Sequence, residues 1–261
     1  MHASLLDVYQ HREGLIHRLD PRVKILASLF FILTAVSLPE GAWLSFGILL
    51  AILILLSGAA QLGMFYTVRR AFVALPFVLA ALAIPFMTPG SALWVIPGLG
   101  WTVTIAGLIR FLTIVARTWI AVQAGILMSA TTGVADLLWG LDKLRIPRLI
   151  VAIVGFMVRY LFVLADEVLR MRRARASRSP KLPGVKRPGA LWQGRVAGMM
   201  VGSLFLRSLE RSERVHAAML SRGYNGEMRV LDQPAMMVLD WVVLLVVLIS
   251  LSAVLWLGVW S

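Results

Sequence analysis

Two short segments of this chain set an arginine behind the same pattern of small residues. They are Ala174-x-x-Ser177-Arg178-Ser179 and, 44 residues on, Ala218-x-x-Ser221-Arg222-Gly223. A guanidinium is planar, permanently charged and shaped to hold a carboxylate through two parallel hydrogen bonds. Each segment closes a long helical run, so each arginine falls in or beside a last helical turn. One use of such a residue is local, because a cation there complements the helix dipole by about 0.3–1 kcal/mol. The other use is external. An arginine projecting past a helix end, flanked by residues too small to obstruct an approaching backbone, fits a groove on another protein. Two like plugs imply two like sockets, such as a pair of nucleotide-binding subunits offers.

Few other residues offer chemistry. Arg110 and Arg117 lie seven apart on one face of a long apolar segment, and Asp240 is the one acid inside such a segment. Charges at membrane depth are functional candidates by default. These arginines are expected either to pair with Asp240 or to contact a partner subunit, with purely structural pairing equally open. The four histidines, His2, His11, His17 and His216, lack the helical spacing of a metal pair, and there is no cysteine. The chain is therefore expected to hold no metal. It contains no Gly-Lys pair, hence no phosphate-cradling Gly-x-x-x-x-Gly-Lys loop, and neither His-Glu-x-x-His nor Gly-x-Ser-x-Gly. It is not expected to be an enzyme, and an intramembrane enzyme in particular would need convergent acids, a nucleophile or a metal cluster.

The elements that position these residues follow from composition. The 261 residues are 59% hydrophobic and only 15% charged, against about 25% charged in soluble domains. This is the signature of an all-α integral membrane protein. About five spans are predicted: Ile25–Leu38, Ala42–Ala60, Ala71–Met87, Val103–Thr131 and Ala235–Trp260. The N-terminal residues carry scattered charges and are not expected to form a cleaved signal peptide. Between Thr131 and Pro234 there are 18 Lys/Arg against 8 Asp/Glu, while the 39–41 turn and the 88–102 loop carry no basic residue. Basic residues collect on the inner side of a bilayer. The formal net charge of +13 thus points to cytoplasmic segments beside lipid and not to nucleic acid. The expected order is a cytoplasmic arm (1–24), a four-span bundle (25–131), a cytoplasmic block (132–234) and a last span (235–261).

The apolar run 149–165 resembles a further span. Crossing there would put the next 14 Lys/Arg outside, so it is expected to pack at the inner ends of the bundle. Three helices are predicted in the block: Val134–Leu144, stopped by Ile146-Pro147; Arg148–Ser177; and Ala190–Arg222, stopped by Gly223. Gly194, Gly198 and Gly202 recur every fourth residue and are expected to let the second and third helices cross closely. Asp20-Pro21 is expected to cap a helix, with Arg22 and Lys24 at the inner membrane surface.

The stretches "RSLERSERVHAAMLSRGYNGE" (207–227) and "HRLDPRVKIL" (17–26) closely resemble the T component of energy-coupling factor transporters, and the "SRGYNGE" ending resembles its cobalt, CbiQ-type branch. The resemblance extends over the whole chain. It implies a membrane scaffold whose paired Ala-Arg-Gly-like motifs dock into two ATPase subunits. Carried across, the arginines are Arg178 and Arg222. Ser177 and Ser221 stand where the family has alanine, and Ser179 stands where it has the first glycine. The implied partners are two copies of an ABC ATPase, a substrate-binding membrane subunit of the cobalt type and the lipid bilayer. The implied location is a bacterial inner membrane, with the N-terminus cytoplasmic. ATP and Mg would sit on the ATPases and no cofactor on this chain. Nickel or vitamin relatives, and the permease of a conventional ABC importer, are the alternatives.

Overall fold

Asp20 and Pro21 begin the first helix. The Asp20 carboxylate accepts from the Arg22 amide at 2.8 Å, and Pro21, with no N–H to lose, takes the first helical position. A computed structural model describes residues 14, 16–63, 66–95, 102–178, 189–226 and 236–260. In it α1 (Pro21–Ser37) and α2 (Trp43–Ala59) are joined by a turn in which Gly41 takes φ +90°. The third apolar segment is helical but broken, into α3 (Tyr66–Arg70), a 3-10 turn (Ala71–Ala74), α4 (Leu75–Ala81) and α5 (Ile84–Met87). Pro76 and Pro85 supply the reason: each lacks the N–H that a continuous helix needs and crowds the carbonyl one turn back.

A small antiparallel hairpin, β1 (Ala92–Val95) and β2 (Thr102–Thr104), precedes α6 (Ile105–Thr131) and pairs Trp94 with Val103. The Thr104 hydroxyl caps α6 by accepting from Gly107 N–H at 3.2 Å. Then come α7 (Val134–Lys143), α8 (Arg148–Arg178), α9 (Ala190–Ser221) and α10 (Val238–Trp260). The helix stops at Ile146-Pro147 and Gly223 fall where the sequence predicts. Tyr66–Met87, Ile105–Thr131, Arg148–Arg178 and Val238–Trp260 are long and apolar enough to cross a bilayer, and Trp43–Ala59 is a shorter apolar helix. The chain is an all-α multi-pass membrane protein.

Two compact units divide at Leu144/Arg145 and at Leu231/Asp232. The first holds α1–α7 and α10, around a core that includes Phe31, Ala35, Phe46, Leu49, Leu53, Ile120 and Leu251. α7, expected in the cytoplasmic block, belongs to this unit. A Cβ on Gly140 would lie 2.8 Å from Ile25 Cδ1 and 3.3 Å from Pro21 Cβ, so α7 presses on the start of α1. Arg22 closes the contact, its guanidinium 4.5 Å from the Trp139 ring centre. The α5–α6 contact is tighter still, because a Cβ on Gly107 would meet Pro85 Cα at 2.8 Å. Gly107→Ala therefore costs about 1–3 kcal/mol by overpacking, to be read as a lowered thermal midpoint in detergent.

Polar side chains tie the helix ends of this unit together. Asp240 accepts from the Asp20 amide at 3.1 Å and from the Met237 amide at 2.9 Å. Lys24 donates to the His17 carbonyl at 2.9 Å and to the Thr131 carbonyl at 3.1 Å. Thr131 is the last residue of α6, whose final carbonyls lack helical partners and favour a nearby cation. Burial lowers the Lys24 pKa from the ordinary lysine range, against the raising pull of Asp136, Asp20 and Asp240. Lys24 stands one residue ahead of the apolar span. Arg22 and Lys24 thus turn to protein at this end of α1: Lys24 is buried and Arg22 stacks on α7.

Of the alternatives open for Arg110 and Arg117, the structure shows structural pairing and not a pair with Asp240. Arg110 Nε pairs with Glu40 Oε1 at 3.1 Å, and Arg117 Nη2 donates to the Leu38 carbonyl. Both serve the turn between α1 and α2. α1 is only 17 residues long, about 25 Å, and its last carbonyls would otherwise face an apolar environment without a donor.

Candidate functional site

The two arginine segments lie on α8 and α9, which make up the second unit with their flanking residues. The helices run antiparallel. Arg175, near the end of α8, lies 5.7 Å from the ring of Trp192, near the start of α9. Glu167 bonds to Arg207 at 2.9 Å. Toward the other end, Ile153, Met157 and Tyr160 share a groove of about 610 Å³ with Leu209, Val215 and Met219. Antiparallel packing sends the two C-terminal ends in opposite directions. From the Glu167–Arg207 contact, Arg178 is 11 residues along α8 and Arg222 is 15 residues along α9. Those arms are roughly 16 and 22 Å long at 1.5 Å per residue.

Both ends are built alike. Ser177 Oγ lies within donating distance of the Arg173 carbonyl at 3.0 Å and the Ala174 carbonyl at 3.2 Å, and Ser221 Oγ donates to the Ala218 carbonyl at 2.9 Å. The repeated Ala-x-x-Ser spacing is therefore one helical turn, over which each serine hydroxyl bonds back to its own helix instead of reaching outward beside the arginine. Ala174, Ser177, Arg178, Ala218, Ser221, Arg222 and Gly223 are all exposed. Arg178 is the last residue of α8, and Ser179 lies outside the described residues.

Arg222 caps α9 and Gly223 follows with φ +79°. The Tyr224 amide donates to Met219 O and the Gly223 amide to Leu220 O, each at 3.0 Å. This is the Schellman stop, and its left-handed position suits glycine. Gly223→Ala is expected to lower the stability of this helix end by about 1 kcal/mol. Faster hydrogen exchange at the Tyr224 amide, with the rest of α9 unchanged, checks it.

The glycine stripe does something other than expected. A Cβ at Gly194, Gly198 or Gly202 would meet nothing within 4 Å, so the stripe is not the α8–α9 crossing. Val196 and Met200, on another side of α9, lie beside Met171 and Ala174 of α8 instead. None of the described residues of α9 is buried. Large apolar side chains on both helices also stand open, among them Leu149, Ile153 and Met157 on α8 and Leu191, Met199, Phe205 and Leu206 on α9. A helix pair with so much bare apolar surface and two exposed guanidinium tips is built to be covered by other proteins or lipid.

Residues 12–231 match the family model described as cobalt transport protein, CbiQ. The chain belongs to the CbiQ family. It is similar, at 30% identity over 85% of its length and 83% of the relative's, to the energy-coupling factor transporter transmembrane protein EcfT of Acidaminococcus fermentans. It is 25% identical to the EcfT protein of Listeria innocua over 87% of this chain and 86% of that one. Similarity to the cobalt transport protein CbiQ of Rhodobacter capsulatus is 30% over 59% of this chain and 61% of that one. As a CbiQ-family T component, the chain is the transmembrane part of an energy-coupling factor transporter, which works with ATPase and substrate-binding components. It is a transporter component and not an enzyme.

Proposed function

We propose that this CbiQ-family chain is the scaffold that passes ATP-driven motion from two ATPase subunits to a separate substrate-binding membrane protein, for cobalt uptake. One observation carries the proposal: the two arginine tips, built alike, leave an antiparallel helix pair in opposite directions. Arg178 enters a groove on one ATPase and Arg222 a groove on the other. Closure of the ATPases on nucleotide draws both arms, and the movement reaches the bundle through α8 and α9. The exposed apolar faces of these helices receive the membrane partner. ATP and Mg sit on the ATPases, and this chain contributes no cofactor. The basic block and the N-terminal arm lie on the cytoplasmic side of the inner membrane, and the apolar first half of α8 lies against that side without crossing, in keeping with the arginines that follow it.

Support for cobalt comes from the description of the family model and from the R. capsulatus relative. The test is uptake of labelled metal into proteoliposomes holding this chain, its ATPases and the copurifying substrate-binding protein. ATP-dependent uptake of Co²⁺ in preference to Ni²⁺, lost when the substrate-binding protein is left out, is the expected result. Uptake of nickel or a vitamin alone would move the chain to a different substrate branch. Full uptake without the substrate-binding protein would make it the permease of a conventional ABC importer.

A further inference from the structure

Glu167 stands where α8 and α9 meet. One carboxylate oxygen accepts from Arg207 of α9 at 2.9 Å, and the other accepts from Arg170, one turn along α8, at 2.7 Å. The Glu167 side chain is 17% exposed, against 60% for Arg170 and 63% for Arg207. Arg211, Arg214 and Glu210 line the same recess, with Glu210 3.7 Å from Arg214, and Glu167 is the carboxylate that offsets Arg170 and Arg207 where the two helices meet. The crossing is not held by a close-packed glycine face, since Gly194, Gly198 and Gly202 meet open space. A charge-assisted bond is both stronger and more directional than the sparse apolar contacts around it. Arg170 occupies the second oxygen and so keeps the first turned toward α9.

The position of this bond gives it a mechanical role. It lies between the two arginine tips, with about 16 Å of helix to Arg178 on one side and about 22 Å to Arg222 on the other. Both arms are continuous helix. A change of angle at Glu167 therefore swings both tips, in opposite senses.

We propose that Glu167 is a positioning residue: with Arg207 it forms the pivot that keeps α8 and α9 joined while their ends move, and so fixes how much ATPase motion reaches the substrate-binding partner. This rests on the coupling role proposed above. The test uses the reconstituted transporter and reads substrate moved per ATP hydrolysed. Glu167→Gln is expected to keep the ATPases bound and hydrolysing while the ratio falls about two- to fivefold, the change that loss of one partly exposed ion pair makes in an equilibrium. Arg207→Glu lowers the ratio further. The exchange of Glu167→Arg with Arg207→Glu brings it back toward the unmodified value, and Glu167→Asp retains part of it.

An unchanged ratio in Glu167→Gln overturns the proposal. So does a failure of the exchange to restore what the single changes lose, which also covers a Glu167→Gln chain that does not fold. A purely structural residue would lower the yield of folded subunit without moving the ratio, and that result overturns it too. The coupling reading fails separately, if Arg178 and Arg222 are both reversed in charge and ATPase binding and uptake persist.

Discussion

Arg222→Glu is expected to strip the ATPases from the membrane subunit. The physical reason is the cost of leaving one member of a docked ion pair buried and unpaired. On the proposed docking, breaking such a pair corresponds to a loss of about 10²–10⁴-fold in affinity, and the reversed charge adds repulsion from any carboxylate that receives the guanidinium. Arg222 is exposed and its side chain supports none of the packing described for α9. The variant subunit is therefore expected to fold and to reach the membrane normally. The measurement is the yield of ATPase that copurifies with the tagged subunit, alongside uptake. Arg178→Glu is expected to act in the same direction, and the double reversal to abolish uptake. Arg222→Lys separates charge from shape: a point charge cannot make the paired hydrogen bonds of a guanidinium, so partial retention is expected.

The second large effect is expected in the bundle. Asp240 is buried and accepts from two backbone amides, those of Asp20 and Met237. Asp240→Ala leaves the buried Asp20 amide without its partner, while the Met237 amide, at the exposed start of α10, can turn to water. At about 1–3 kcal/mol for one buried unsatisfied group, the loss is about 1–3 kcal/mol. Asp240→Asn keeps one acceptor oxygen and turns an NH2 donor toward the second amide; with the oxygen on the buried Asp20 amide it is expected to lose less than the alanine variant. Thermal unfolding of the purified subunit in one detergent ranks the three proteins. Equal midpoints for the alanine variant and the unmodified chain would show that α1 and α10 are not joined through this carboxylate.

The sequence made helix ends legible because helix ends are local chemistry. Asp20-Pro21, Ile146-Pro147 and Gly223 each fix φ, supply a cap or remove a donor within a few residues, and each acts in the structure where the chain places it. The likeness of the two arginine segments was legible for the same reason, since the serine-to-carbonyl bond spans only one turn. Partners distant in the chain were not. Arg110 and Arg117 were visible as charges on one face, but nothing local says that they serve Leu38 and Glu40 across some 70–80 residues. Glu167 passed as one acid in a basic stretch, because its importance comes from lying against Arg207. The glycine stripe carried the spacing of a helix crossing but no information about which neighbour it meets. α7 looked like part of the charged block by composition, yet the close fit of Gly140 on Pro21 and Ile25 places it with the bundle.

Because the chain contains no cysteine, a single cysteine at position 178 or 222 gives each arm tip a unique chemical handle. Linking each to its neighbours with a short thiol-reactive cross-linker in the intact transporter addresses the central claim most directly. Covalent adducts between an ATPase subunit and the cysteine, at both positions, are the predicted result. Adducts with lipid alone at either position, or labelling of either cysteine from outside sealed cells by an impermeant thiol reagent, would contradict the account.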